Sequence, residues 1–171
     1  MTSNTYNNLE EIVKILKERK LKISFVESCT GGHLASYVTC IEGSSSVISA
    51  SFVTYDVKTK SAVTDVTEEM VEKYGVVSEQ VALAMTHINI LEEPDIVVSV
   101  TGNIGLTSND DKEGTNIAWV GFKVNGKRYA VLRDLNDILG EKTGANSHRV
   151  FCKQALADFV FHELLSKVKE S

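Results

Sequence analysis

The sequence predicts an α/β protein in which helices cover both faces of a mixed parallel and antiparallel sheet, giving a three-layer α/β/α single domain over residues 1–171. The apolar segment Lys22–Val26 passes through Ser28–Gly32 into a helical pattern, as a parallel strand followed by a helix does. Asp95–Thr101 is a nearly continuous apolar run, which is typical of a central strand buried on both faces. Asn125-Gly126 separates two apolar segments and is a strong signal for an antiparallel hairpin.

The first half of the chain predicts helix, strand, helix, strand and short helix. Asn7 or Asn8 can cap the first helix, because an asparagine side chain accepts hydrogen bonds from free helix amides. The apolar positions of that helix have helical spacing: Leu9, Ile12, Val13 and Leu16. A second helix follows the turn to about Thr39, Val47–Tyr55 has the composition of a strand, and a short helix ends near Val63.

The second half predicts two further helices, three strands and a long final helix. Thr67 and Ser78 each precede acidic residues, as N-terminal capping residues do, and the helix after Ser78 is predicted to carry an apolar face as far as Leu91. The other predictions are the central strand at Asp95–Thr101, a polar loop at Gly102–Gly114, hairpin strands at Thr115–Val124 and Lys127–Arg133, and a helix from Asn146 to about Lys167.

Composition and charge exclude several classes of function. A net charge of −5 and an isoelectric point near 5.4 argue against a general nucleic-acid binder, which usually carries a basic face. Three widely spaced cysteines form neither a disulfide framework nor a zinc pattern. No apolar run reaches the length of a membrane span, and the first residues lack the features of a secretory signal. We therefore expect a cytoplasmic protein that contacts neither membrane nor nucleic acid.

The turn Ser28–Gly32 is the first candidate site. It places small hydroxyls and free amides after a strand, where α/β sheets bind ligands, and glycines allow a ligand to approach the backbone closely. The same residues also fit a plain strand-to-helix turn in which Ser28 or Thr30 caps the helix. The turn alone leaves both interpretations open.

Six blocks occur in order over most of the chain: Glu27–Gly32, Gly43-Ser44-Ser45, Phe52–Tyr55 with Lys60 five residues on, Gly75–Glu79, Val100-Thr101-Gly102 and Gly114-Thr115. Together they resemble the C-terminal domain of the CinA (competence/damage-inducible protein) family, which is also found alone as nicotinamide-nucleotide amidase. The blocks up to Lys60 are specific, and the later ones support them.

The resemblance implies deamidation of nicotinamide mononucleotide to nicotinic acid mononucleotide and ammonia, without a metal or cofactor. Position by position, it implies Ser45 as the nucleophile and Lys60 as the base. Tyr55 is the third expected catalytic residue, which would orient the amide or the developing oxyanion. The residues that it places around the nucleotide substrate are Ser28, Thr30, Gly31, Gly32, Thr101, Gly102, His148 and Arg149. It is also compatible with homodimerisation.

This chemistry is reasonable on its own terms. A serine hydroxyl becomes a good nucleophile only when a neighbouring base takes its proton. A lysine acts as that base only if burial or a nearby positive charge, such as that of Lys58, lowers its pKa. Cys29 is an alternative nucleophile, although the sequence places no histidine near it to generate the thiolate.

The chain departs from the family pattern in two places. After Gly102 the family continues with Ile-Ala-Gly-Pro and a glycine-rich loop, whereas this chain continues with Asn103 and gains acidic residues at Asp110 and Asp111, which would weaken phosphate binding. The family also carries Gly-Asp-Arg at the start of the last helix. Here His148 takes the arginine position and Arg149 follows it, about 100° further round the helix.

These departures leave two alternatives to the amidase. One is a catalytically degenerate domain that binds a nucleotide or a protein partner without turnover. The other is an amidase whose substrate has changed, for example to one without a phosphate. Ammonia release and its dependence on the phosphate distinguish the three.

Overall fold

A five-stranded sheet runs through the middle of the protein, with helices on both faces. The computed structural model describes residues 1–105, 115–139 and 145–170, without the side chains of residues 145 and 146. The acidic part of the loop predicted at Gly102–Gly114 lies outside the described residues. The mixed sheet with helices on both faces confirms the predicted fold class.

The elements follow one another as the sequence pattern predicts. The helices are α1 (Ser3–Arg19), α2 (His33–Thr39), α3 (Val57–Val63), α4 (Glu68–Tyr74), α5 (Glu79–Ala84) and α6 (Ala145–Lys169). The strands are β1 (Ile23–Glu27), β2 (Ile48–Val53), β3 (Ile96–Asn103), β4 (Ile117–Val124) and β5 (Lys127–Asp134). A single 3-10 turn at Ser44–Ser46 precedes β2.

The strand order β2-β1-β3-β4-β5 determines where a ligand site can form. Strands β1, β2 and β3 are parallel, whereas β4 and β5 are antiparallel to their neighbours. After β1 the chain forms β2 on one side of β1, and it then crosses over to form β3 on the other side of β1. The carboxyl ends of β1 and β3 therefore flank a crevice, the usual place for a ligand in an open α/β sheet.

The larger core lies between the sheet and the layer formed by α1, α2 and α6. Phe25 and Phe122 project from the sheet into this layer, where Phe25 meets Phe161 of α6 edge to face at 6.4 Å. Helices α1 and α6 bury long rows of aliphatic side chains here: Leu9, Ile12, Leu16, Leu156, Val160, Leu164 and Val168. This face supplies most of the buried apolar surface among the described residues.

The opposite layer is thinner and consists of the short helices α3, α4 and α5. Its core joins Val26 and Val97 of the sheet to Val81 and Met85 of the α5 region. Helix α4 contributes only partly buried side chains. In the described part of the chain, no helix combines the length and the apolar character needed to cross a membrane.

Two predicted helix boundaries are wrong. The first helix begins at Ser3, not after Asn7 or Asn8, because the side chain of Thr2 accepts a hydrogen bond from the Thr5 amide. The helix after Ser78 ends at Ala84, so Leu91 is fully exposed and is not part of an apolar face. The other caps, Thr67 and Ser78, lie where they are predicted.

Candidate active site

A cavity of about 170 Å³ opens at the carboxyl ends of β1 and β3. The described residues that line it come from the turn after β1, the segment around α3, the α4–α5 connection, the end of β3 and the start of α6: Ser28, Cys29, Tyr55, Lys60, Val76, Val77, Thr101, Gly102, Asn103, Ile104 and Arg149. Six of the predicted site residues thus meet in one place: Ser28, Tyr55, Lys60, Thr101, Gly102 and Arg149.

The amine of Lys60 is fixed by two backbone carbonyls. Asp56 caps helix α3, because its side chain accepts a hydrogen bond from the Thr59 amide, and Lys60 lies in the first turn of the helix. The side chain is fully buried, and its Nζ donates to the carbonyl oxygens of Thr54 at 2.6 Å and of Tyr55 at 3.2 Å. These contacts hold Nζ at the end of β2, 3.0 Å from Ser28 Oγ.

Burial favours the neutral form of the Lys60 amine. Desolvation of the buried ammonium lowers the pKa of Lys60 below its ordinary value, while negative charge on Cys29 or Asp56 would raise it. No ion pair of Lys60 is found within the described ranges. Lys58, the nearby positive charge offered above as an alternative to burial, is exposed and does not appear among the described residues that line the cavity.

Ser28 begins the turn that follows β1. Its amide donates to Val100 O at 3.0 Å, which ties the turn to β3, and its carbonyl accepts the Gly31 amide at 3.0 Å. These backbone bonds fix Ser28 between the parallel strands β1 and β3, with its hydroxyl beside the Lys60 amine. The hydroxyl and the amine lie within hydrogen-bond distance, which is the arrangement that an activated serine requires.

Cys29 lines the same cavity but is unsuited to attack. Burial raises the pKa of its thiol to about 12, against smaller opposing effects of Arg149 and its own backbone amide. A thiol with such a pKa stays protonated at neutral pH, and the thiolate is the reactive form. The protonated thiol also removes the charge that would otherwise raise the pKa of Lys60.

The structure does not bring Ser45 to Lys60, which corrects the predicted pair. Ser45 is exposed in the 3-10 turn before β2, where the neighbouring Val47 carbonyl accepts the amide of Ile23 at the start of β1. Lys60 instead contacts the backbone that follows the end of β2. The six residues of β2 separate the two ends by about 20 Å.

Tyr55 and Arg149 form the mouth of the cavity. Tyr55 is 62% exposed, and its hydroxyl accepts a hydrogen bond from Arg149 Nη2 at 3.0 Å. Arg149 reaches this point from the first turns of α6. A fixed guanidinium at the mouth can bind an anionic group of a ligand whose other end enters the cavity.

The end of β3 forms one wall, where Thr101 and Gly102 are constrained mainly by packing. The Thr101 hydroxyl donates to Val76 O at 2.8 Å and so joins the α4–α5 connection to the sheet. A Cβ at Gly102 would lie 2.6 Å from Ala118 Cβ and 2.7 Å from Ile117 O. The absence of a side chain at this position therefore lets β3 pair closely with β4.

Thr30, Gly31 and Gly32 do not appear among the described lining residues, although they follow Ser28 directly. Gly31 and Gly32 have positive φ angles of 64° and 88°, a conformation that favours glycine. The turn directs the buried Glu27 carboxylate to the start of α2, where it accepts the amides of Leu34 at 3.1 Å and Ala35 at 3.0 Å. Both of these amides are thus bound within the protein, which argues against a phosphate at this helix end.

His148 lies on the buried side of α6 and does not appear among the described residues that line the cavity. Its Nε2 lies 2.7 Å from Asn116 Oδ1 and 3.7 Å from Cys152 Sγ. The predicted contact between His148 and substrate is therefore replaced by a contact inside the protein, and Arg149 supplies the cation at the mouth. Burial also raises the pKa of the Cys152 thiol, so this cluster does not present a second nucleophile.

Sequence reasoning missed four lining residues, namely Val76, Val77, Asn103 and Ile104. Val76 and Val77 lie in one of the resemblance blocks, but only the bond from Thr101 shows that this block reaches the cavity. Asn103 and Ile104 follow directly from the parallel pairing of β3 with β1, which places the end of β3 beside Ser28. In the described part of the chain, no three histidine, cysteine or acidic side chains are grouped so that they could hold a metal ion.

Comparison with protein families identifies the domain type. The family model described as the CinA C-terminal domain matches residues 6–159. A putative competence-damage inducible protein from Alkaliphilus oremlandii is 40% identical over 131 residues, which are 75% of this chain and 31% of that protein. A CinA-like protein from Petrotoga mobilis is 36% identical over 118 residues, 68% of this chain and 29% of that protein. The match thus spans less than a third of these curated relatives.

Solved structures share the fold over almost the whole chain. A competence-damaged protein (CinA) superfamily protein from Klebsiella pneumoniae has a TM-score of 0.84 at 21% identity, covering 98% of this chain and 99% of that one. The competence/damage inducible protein CihA from Agrobacterium tumefaciens has a TM-score of 0.83 at 26% identity, covering 97% and 96%. At such identities the Klebsiella structure supports the fold alone.

Proposed function

Since this chain belongs to the CinA C-terminal domain family, we propose that it is an amidohydrolase which converts nicotinamide mononucleotide to nicotinic acid mononucleotide and ammonia. The observation that carries the proposal is the 3.0 Å contact between Ser28 Oγ and Lys60 Nζ inside the cavity. The contact pairs a nucleophile with a base, and the resemblance supplies the substrate. Ser28 replaces Ser45 in this role.

The first step is attack by Ser28 on the carboxamide carbon. A neutral lysine amine has two N–H donors and one lone pair, and the Thr54 and Tyr55 carbonyls accept the two donors. The lone pair is then available for the hydroxyl proton of Ser28. The lowered pKa of Lys60 increases the fraction of amine in this neutral form.

The second step releases ammonia and leaves an ester. Ser28 Oγ forms a bond to the carbonyl carbon, the C–N bond breaks, and Lys60 returns its proton to the departing nitrogen. Water then attacks the ester, Lys60 takes one of its protons, and the serine oxygen recovers a proton as the acid leaves. The sum is one amide and one water converted to one acid and one ammonia, with Lys60 unchanged.

The size of the cavity indicates how a nucleotide would bind. Pockets that enclose drug-sized ligands measure roughly 300–1,000 Å³, and this cavity of about 170 Å³ is smaller. We therefore place the nicotinamide ring and its amide inside, with the ribose and phosphate outside the mouth. Arg149, held against Tyr55, is then the cation beside the phosphate.

Ammonia release from nicotinamide mononucleotide tests the proposal. We expect turnover in the wild type, and a loss of at least about 10³-fold in Ser28→Ala and in Lys60→Ala, because each removes one member of the nucleophile–base pair. Ser45→Ala is the matched control and is expected to keep wild-type activity, since Ser45 lies at the other end of β2. Binding of the nucleotide without any product in the wild type would instead identify a binding domain.

Asn103 favours a second candidate, an amidase with a changed substrate. It lines the cavity where the resemblance expects isoleucine, and its Oδ1 accepts the Gly105 amide at 3.1 Å, whereas its buried Nδ2 has no partner among the described residues. A buried donor without a partner costs about 1–3 kcal/mol, so a ligand acceptor would stabilise it. A panel of carboxamides with and without a phosphate separates the candidates: for this second one, removal of the phosphate leaves kcat/KM unchanged.

A further inference from the structure

We propose that Asn116 and His148 form a positioning pair which sets the rotation of the first turns of α6 and so brings Arg149 to the mouth of the cavity. Neither residue appears among the described residues that line the cavity, and both are almost completely buried. The expected effect on substrate binding rests on the proposed function. The effect on the position of Arg149 does not.

The hydrogen bonds around Asn116 define which groups face each other. Asn116 Nδ2 donates to Asn136 Oδ1 at 3.1 Å, so the amide oxygen of Asn116 is the atom that faces His148. An amide oxygen only accepts, and His148 Nε2 must therefore carry the proton in this 2.7 Å contact. Cys152 Sγ meets the same nitrogen at the longer distance of 3.7 Å and does not compete with the amide oxygen.

The acceptor itself is fixed by the end of the β4–β5 hairpin. Asn116 has a positive φ of 59°, and its carbonyl accepts the Leu135 amide at 2.8 Å. Asn136 also donates to the Thr115 carbonyl and to Asp134 Oδ1. These contacts attach the Asn116 side chain to the sheet, so a bond from His148 attaches the start of α6 to the sheet as well.

Because α6 is a regular helix, the direction of His148 determines the direction of Arg149. Successive residues of an α-helix point about 100° apart. His148 is directed into the protein, so Arg149, the next residue, is directed towards the mouth of the cavity. There its Nη2 donates to Tyr55 OH at 3.0 Å. A rotation of the helix start that released His148 would move the guanidinium away from Tyr55 by the same angle.

The pair also accounts for the departure from the family pattern at this helix. The resemblance expects an arginine at position 148, from which its guanidinium would contact the substrate. In this chain the residue at 148 binds inward and the next residue supplies the cation. The arginine is thus displaced by one residue, and the hydrogen bond between His148 and Asn116 holds the helix in the rotation that this displacement requires.

Three single variants, the double variant His148→Phe with Asn116→Gly, and one control test the pair. His148→Phe removes the donor, Asn116→Gly removes the acceptor while accepting the positive φ, and His148→Gln retains an N–H that can reach Asn116. Leu156→Ala is the control for loss of stability, since it creates a cavity under α6 away from the pair. All are measured on the full chain, with wild type in parallel.

We expect KM for nicotinamide mononucleotide to rise roughly tenfold in His148→Phe and in Asn116→Gly with kcat within about twofold, because Arg149 then no longer stands beside the phosphate at the mouth of the cavity. A tenfold rise in KM corresponds to about 1.4 kcal/mol. The double variant should be no worse than either single one, since both remove the same bond. His148→Gln should restore most of the wild-type KM. Leu156→Ala should lower stability and leave KM unchanged.

A ligand-free measurement keeps the inference separate from the proposed function. Nuclear Overhauser effects between the Arg149 side chain and the Tyr55 ring should be present in the wild type and in His148→Gln, and absent in His148→Phe and Asn116→Gly. Overhauser effects that persist in the last two variants overturn the pair, whatever the activity. If the wild type shows no turnover while the Overhauser effects respond to the variants as expected, only the amidase is overturned.

Discussion

At the scale of single residues, Lys60 shows why the sequence could identify one half of the pair and not the other. Its spacing from Tyr55 is part of the resemblance, and its location on the first turn of a short helix follows from Asp56 as the cap. Several serines lie near it in sequence, and sequence distance does not distinguish them. Ser28 is 32 residues away and in contact, because β1 and β2 are parallel neighbours.

The buried amine predicts a rate that rises with pH. Since the pKa of Lys60 is lowered but the base is active only when neutral, kcat/KM should increase with pH and reach a plateau below the ordinary lysine pKa of about 10.4. Initial rates of ammonia release across the pH range measure this. Lys60→Arg should be inactive throughout, because a guanidinium does not lose its proton. A rate that falls as pH rises would contradict Lys60 as the base.

The same group predicts a pH-dependent stability. A lysine whose folded-state pKa is lowered binds fewer protons folded than unfolded, so its contribution to stability rises with pH between the folded pKa and about 10.4. The free energy of unfolding of the wild type minus that of Lys60→Met should therefore rise with pH over this window, by at most about 1.4 kcal/mol per pH unit. Urea denaturation at a series of pH values measures it. A difference that does not change with pH would show that the pKa is not lowered.

At the scale of elements, local capping signals predicted the starts of α4 and α5 but not the start of α1, which Thr2 caps instead of an asparagine. Asp56, Thr67 and Ser78 each accept an amide at the start of a short helix. The end of α5 could not be read from the sequence, because apolar residues continue beyond it to the exposed Leu91. Helical spacing shows which residues are apolar and does not show which of them a neighbouring layer covers.

The start of α2 gives the prediction that belongs to this scale. Glu27 is buried and accepts two backbone amides, so Glu27→Ala leaves two buried donors without partners and should lower the free energy of unfolding by about 2–4 kcal/mol. Glu27→Gln keeps one acceptor oxygen and should lose about half as much. Chemical denaturation of both variants measures the order. Equal losses in the two variants would mean that the charge, and not the number of acceptors, matters.

At the scale of the whole molecule, the order of the strands is what the sequence could least supply. The parallel and antiparallel parts were predicted from composition and the Asn125-Gly126 turn, whose φ angles of 54° and 72° confirm the hairpin. The crossing of the chain from β2 to β3 on the far side of β1 has no local signal. That crossing creates the crevice and brings the end of β3 to the same cavity as Ser28.

The unequal layers predict unequal local stability. Helices α3 and α4 bury few apolar side chains, whereas α1 and α6 pack on the large core. We therefore expect native-state hydrogen exchange to open α3 and α4 at a lower free energy than α1 and α6. Because Lys60 lies on α3, activity should be lost on heating below the temperature of global unfolding. Simultaneous opening of all four helices would contradict this.

The hairpin turn between β4 and β5 gives the molecule a place for attachment that is remote from the chemistry. Val124 precedes the turn beside the amino end of β3, while the cavity lies at the carboxyl end of that strand. The turn is open, because a Cβ at Gly126 would meet no atom within 4 Å. Gly126 itself should not be substituted, because its φ of 72° favours glycine. The neighbouring Lys127 is exposed. A fluorophore or surface linker coupled through Lys127→Cys, with the exposed Cys40 replaced by serine, would report on the protein or immobilise it with the mouth of the cavity facing outward.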